Sequence, residues 1–172
     1  GEPLAPAVED PDGAWTYTEL RDASLRVTAL LVARGFGEFS RPAPAWSERP
    51  PAPRPVAVWA QRSRELVAIC IGVWRLGLPV VALSRDMADK VAERNRNEQA
   101  MRELKPFALI SDERSSELSS CEGAPGDITV VKLQDVGAAI RSEGCASAGE
   151  VEAAMRGSPV RPDSALVYVY TG

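Results

Sequence analysis

The chain has 172 residues, a formal net charge of −4 and a pI near 5.0. That length suits one domain with a sizeable core, and the acidic balance argues against a broad nucleic-acid surface. There is no histidine, which removes the commonest general base, most zinc sites and any Ser-His-Asp triad. Three widely spaced cysteines, Cys70, Cys121 and Cys145, do not make a disulfide framework, so a reducing, cytoplasmic setting is expected. No apolar run reaches the roughly 18 residues of a membrane span. The opening GEPLAPAVEDPDG has neither the basic nor the apolar region of a secretory signal. Because the first residue is Gly1, a piece of a longer chain is expected, and a targeting peptide upstream stays open.

Residues 1–14 are rich in proline and aspartate and are expected to be loose. In WTYTELRDASLRVTALLVARG, Thr16 and Glu19 have the spacing of a capping box. Leu20, Ala23, Val27, Leu30 and Leu31 then recur at helical spacing, and Gly35 is placed to stop the helix in a left-handed turn. A helix is predicted over Thr18–Arg34. Residues 37–55 hold six prolines and read as an irregular, exposed loop.

A strand–helix–strand pattern follows. Val56–Ala60 is a short apolar run without polar alternation, as in a strand covered on both faces. Ser63–Gly77 reads as an apolar helix capped by Ser63 and ended by Gly77. Pro79–Ser84 is a second buried strand. Met87–Leu104 reads as a charged surface helix with a weak apolar stripe and a possible break near Asn95. Phe107–Ser111, Ile128–Leu133 and Ala165–Thr171 complete five predicted strands. The connectors 112–127 and 142–164 are rich in Ser, Gly, Pro and acids. The alternation predicts an α/β fold, a mainly parallel Rossmann-like sheet with helices on both faces. Ligands in such sheets bind at the C-terminal strand ends, here Ala60–Ser63, Ser84–Asp86, Ser111–Glu113 and Thr171–Gly172.

Several motifs read more simply as structure. Gly72 and Gly77 have P-loop spacing, but Leu78 and Pro79 follow instead of Lys and Ser/Thr, so they are packing and stop glycines. Gly35 and Gly37 follow a helix and lack a third spaced glycine. Asp10, Asp12, Asp86 and Asp89 fit no calcium loop and read as solvated loops or caps. Trp59, Trp74 and Cys70 read as core. Thr171-Gly172 closes a buried strand in the way phosphate-cradling loops begin, because backbone N–H groups must come close to the anion.

Four stretches, in order, resemble the N-terminal part of the adenylate-forming (AMP-binding) superfamily, which includes acyl-CoA synthetases and nonribosomal peptide synthetase adenylation domains. WTYTEL (Trp15–Leu20) resembles the family's L-T-Y-x-E-L. Gln61–Asp86 resembles its R-S-x-E-x-V-x-A segment through to P-L-D-P, although ALSRD stands in the place of P-L-D-P. Leu104–Glu113 resembles the next helix end and strand. RPDSALVYVYTG resembles the lead into the Gly-rich loop [ST]-G-[ST]-T-G-x-P-K-G. The resemblance implies that 15–172 is a partial adenylation domain with a proline-rich insertion at 37–55, broken at the start of that loop. It implies an enzyme that activates a carboxylic or amino acid with ATP and Mg²⁺ to an acyl-adenylate. A thiol of CoA or of a carrier-protein phosphopantetheine would accept the acyl group. Thr171 and Gly172 would approach the phosphates; no catalytic or metal-binding residue is assigned within this stretch, and it is expected to be inactive alone. Two rival readings stay open: a non-catalytic α/β binding or interaction module, and a different nucleotide-binding enzyme on the same layered architecture.

Overall fold

The computed structural model describes residues 5–38, 54–112, 118, 125–142, 151 and 167–169. Strands β1 (Pro6–Asp10) and β2 (Gly13–Thr16) form an antiparallel hairpin, with Asp10 opposite Gly13 across a Pro11-Asp12 turn. This corrects the expectation of a loose start over the described part of 1–14. Gly13 takes φ +134°, a conformation open to glycine, and so lets the turn close.

Helix α1 (Tyr17–Ala33) starts at the capping box read from the sequence. Thr16 Oγ1 accepts the Glu19 N–H, and the Glu19 carboxylate accepts the Thr16 N–H at 2.7 Å. Gly35, at φ +84°, follows its end as expected. The chain then makes a short 3-10 turn, Phe36–Glu38, so the segment expected to be irregular from 37 begins inside a turn. Phe36 is buried edge-on against Phe107, with centroids 5.2 Å apart. The remainder of the proline-rich stretch, 39–53, lies outside the described residues.

Five strands form one parallel sheet. β3 (Val56–Trp59), β4 (Val80–Ala82), β5 (Ala108–Ser111), β6 (Thr129–Lys132) and β7 (Val167–Tyr168) run in the spatial order β6-β5-β3-β4-β7. Val56 lies beside Val80 and Ala108, so these three strands are in step at their N-terminal ends. Arg54 anchors that end. Its guanidinium donates to Asp127 through two nitrogens, at 2.9 and 3.0 Å, and to the carbonyls of Lys105 and Pro106.

Side chains alternate across the sheet, as its pleat requires. Val56, Val58, Val80, Ala108, Ile110 and Val131 face a core shared with α1, α2 (Arg64–Arg75) and α4 (Leu133–Arg141). Ala57, Val81 and Leu109 face the other side, with Ala100 and Met101 of α3 (Lys90–Leu104). Helices therefore cover both faces. Helix α3 runs unbroken past Asn95, and it is not wholly a surface helix, because Glu93, Asn97, Ala100 and Met101 are buried. Helix α4 is an addition to the elements predicted from the sequence. No helix among the described residues is long and apolar enough to cross a membrane.

Gly72 is a packing glycine. A Cβ there would stand 2.8 Å from Val27 Cγ1, 3.0 Å from Val27 Cβ and 3.2 Å from the Ser24 carbonyl oxygen. The Thr28 hydroxyl also donates to the Gly72 carbonyl at 3.2 Å, so α1 and α2 cross in close contact here. An ordinary helical glycine gains about 0.5–1 kcal/mol on replacement by alanine. Gly72→Ala should instead destabilise by about 1–3 kcal/mol, the usual cost of overpacking. Urea unfolding measures this, and a gain in stability would show that the helices are not in close contact at that point.

Candidate functional site

The C-terminal ends of β3 and β4 open into a cleft of about 310 Å³. Val58, Ala60, Leu66, Ala82, Leu83 and Met87 supply its apolar wall, and Arg62, Ser84, Arg85 and Asp86 its polar rim. Two of the four strand ends singled out from the sequence, Ala60–Ser63 and Ser84–Asp86, thus meet in one place. Ser111 is buried at the end of β5, and Asp112 reaches the same rim through Arg85. Glu113, Thr171 and Gly172 lie outside the described residues.

The rim is held by several polar contacts. Arg85 donates to Asp112 at 2.7 Å and its guanidinium lies 5.5 Å from the centre of the Trp59 ring, a cation–π arrangement. Trp59 Nε1 donates to the Ser84 carbonyl at 3.0 Å. Trp59 is therefore half-buried with a structural hydrogen bond at the edge of the cleft, and the core reading of this residue is incomplete. Arg62 and Asp86 face each other at 3.6 Å across the mouth, both exposed.

The start of α2, beside the cleft, is occupied from within the chain. The first N–H groups of a helix carry partial positive charge and lack intrahelical partners, which makes them a common anion site. Here Ser63 Oγ accepts the Leu66 N–H, and the Asp10 carboxylate accepts the Arg64 N–H at 2.9 Å. Asp10 also accepts the Asp12 N–H and pairs with the Arg64 side chain at 3.3 Å. The Arg64 guanidinium in turn lies 5.1 Å from the Trp15 ring centre. The hairpin therefore fills, with its own carboxylate, the position a phosphate takes in many nucleotide-binding sheets. Asp10 is a cap, as expected, but on a helix more than fifty residues away, and no local pattern signals that.

The Arg64 N–H holds the Asp10 carboxyl below the usual carboxylate range, the Thr16 N–H does the same for Glu19, and the Arg54 guanidinium for Asp127. A carboxyl with a lowered folded-state pKa contributes stability that is fully present above its unfolded value, about 4, and is lost as pH falls through the folded value. The melting temperature should therefore be retained above about pH 4 and decline below it, with Asp10→Asn and Asp127→Asn flattening that decline. Melts from pH 2 to 7 test this, and an unchanged profile in both variants would count against the two carboxylates as its source.

Burial pushes the Cys70 thiol up, away from the thiolate form, in keeping with a core cysteine. Among the described residues no group of three or more His, Cys, Asp or Glu stands where it could hold a metal ion. Asp89 caps α3, accepting the Val91 and Ala92 N–H groups.

The family model of AMP-binding enzymes matches residues 1–172. The chain belongs to that family. Among solved structures it is similar to VinN, with 23% identity and a TM-score of 0.65, over 99% of this chain and 39% of VinN. It is similar to apo MatB from Rhodopseudomonas palustris, with 20% identity and a TM-score of 0.59, over 99% of this chain and 30% of MatB. A Mycobacterium tuberculosis fatty acyl CoA synthetase matches over 75% of this chain and 23% of its own, at 16% identity and a TM-score of 0.53. Identities at this level show the shared fold. A comparison with curated proteins gave no match. The chain spans about two-fifths of the length of VinN.

Proposed function

We propose that the protein to which this AMP-binding chain contributes activates a carboxylic or amino acid with ATP. The acid's carboxylate attacks the α-phosphorus, giving an acyl-adenylate and releasing pyrophosphate. A thiol, of CoA or of a carrier-protein phosphopantetheine, then takes the acyl group. The observation that carries this reading is the family match over the entire chain. Two features of the neighbours support its substrates: VinN has been solved with L-aspartate and with 3-methylaspartate, and MatB with ATP.

The AMP-binding stretch supplies the first half of the nucleotide-binding subdomain, from residue 15 onward, with an insertion at 37–55. Its phosphate contacts are Thr171 and Gly172, next in line after β7. No described residue is assigned to ATP or to Mg²⁺. β7 pairs with β4, whose C-terminal end borders the cleft. The α2 N-terminus is occupied by the Asp10 carboxylate, which is consistent with an anion site elsewhere. The protein works in the cytoplasm.

Acid-dependent exchange of labelled pyrophosphate into ATP tests the reading, with the full-length polypeptide and a panel of amino, dicarboxylic and fatty acids. Loss of exchange on replacing Gly172 by valine is the expected result for a backbone that must approach a phosphate. A folded full-length protein that exchanges with none of the acids would overturn adenylation in favour of a binding module.

A further inference from the structure

The loop after β4 is where ALSRD departs from the family pattern, and it walls one side of the cleft. Two buried polar side chains of α3, four residues apart and so on one helix face, hold it. Asn97, 2% exposed, accepts the Ser84 N–H at 2.8 Å and donates to the Ser84 carbonyl at 2.7 Å. Glu93, 6% exposed, accepts the Met87 N–H at 2.8 Å. Lys90 closes the ring, with its Nζ 3.0 Å from the Arg85 carbonyl and 3.1 Å from Glu93 Oε2. The apolar stripe of α3 is weak because part of its inner face is given to these contacts.

A buried amide or carboxylate is costly unless hydrogen-bonded, and here the partners are backbone groups of a loop with no strand ladder to satisfy them. Packing alone does not require either residue, since an apolar side chain of similar size would fill the same space. What the polar pair adds is a fixed backbone from Ser84 to Met87, and with it fixed origins for Arg85 and Asp86 at the cleft mouth.

We propose that Asn97 and Glu93 are positioning residues, holding the Ser84–Met87 loop in the shape that the cleft presents to substrate. Its consequence for substrate affinity rests on the adenylation reading. Binding to a wall that is already ordered avoids the cost of ordering it during association. Loosening the loop should therefore raise KM more than it lowers kcat.

Two measurements on the full-length protein separate the brace from the chemistry. Amide hydrogen exchange should rise about tenfold or more at Ser84 in Asn97→Leu and at Met87 in Glu93→Ala, with α1 and α2 unchanged. Glu93→Gln, whose amide oxygen can still accept the Met87 N–H, should restore protection at Met87. In pyrophosphate exchange, Asn97→Leu should raise the KM for acid or ATP by about tenfold while kcat stays within about twofold. Unchanged protection in both loosening variants would overturn the brace, and a loosened loop with unchanged KM would overturn its role in the site. Should Asn97→Leu fail to fold, Glu93→Ala against Glu93→Gln decides the same question. If the native protein exchanges with no acid, the adenylation reading falls, while amide exchange still decides whether the pair holds the loop.

Discussion

On the adenylation reading, residues 1–172 alone, mixed with ATP, Mg²⁺, labelled pyrophosphate and a broad acid panel, will put no label into ATP, whereas the protein to which they contribute will. The expected difference is large because the described residues offer little to a triphosphate. The cleft's guanidiniums are paired, Arg85 with Asp112 and Arg62 with Asp86. The α2 N-terminus already holds Asp10. On that reading, phosphate contact within residues 1–172 rests on Thr171 and Gly172. Losing a single preorganised donor to a developing negative charge costs roughly 10²–10³ in rate, so two contacts cannot support turnover. Exchange by residues 1–172 would refute this and would require an ATP site among residues that the reading leaves as scaffold.

The largest effect on stability is expected at Ile69. It is fully buried near the middle of α2, in the cluster that joins α1, α2 and the sheet. Val73 and Leu76 continue the same face and are also fully buried, with Leu66 partly buried one turn earlier. Ile69→Ala removes buried methylenes and leaves a cavity that a parallel sheet cannot collapse into, at about 2–5 kcal/mol. For a domain of this size that lowers the melting temperature by about 4–20 °C. An unchanged melt would place this face of α2 at the surface, against the observed burial.

How much was readable in advance depends on where the deciding forces lie. The parallel sheet was legible because Val56–Trp59, Val80–Ala82 and Ala108–Ser111 are short, apolar and separated by capped helices, and that pattern has few other solutions. Caps at Thr16 and Ser63 were legible because they act within three residues. The β1–β2 hairpin was not. Its strands contain Pro6, Glu9 and Asp10, poor strand formers, and its place is set by Asp10 and Trp15 meeting Arg64. Helix α4 starts at the end of β6 with no side-chain cap and carries Gly137 in its middle, so neither a start signal nor propensity marked it. The cleft's location followed from the strand-end rule, but the roles of Asn97 and Glu93 did not. In the sequence they sit in a run of charged and amide residues that reads as solvated, and only the fold shows that two of them turn inward.

The strand order has a consequence for synthesis. β3, β4, β5 and β6 have all left the ribosome by Lys132, whereas β7, the only described partner for the outer edge of β4, comes roughly 35 residues later. At typical translation rates of 5–20 residues per second that gap lasts about 2–7 s, far longer than hairpin formation or collapse takes. During those seconds a nascent four-stranded sheet shows the unpaired backbone of Val80-Val81-Ala82 along one side. An open apolar edge of that kind recruits other strands, so the arrival of β7 also closes the stage of synthesis most exposed to mispairing.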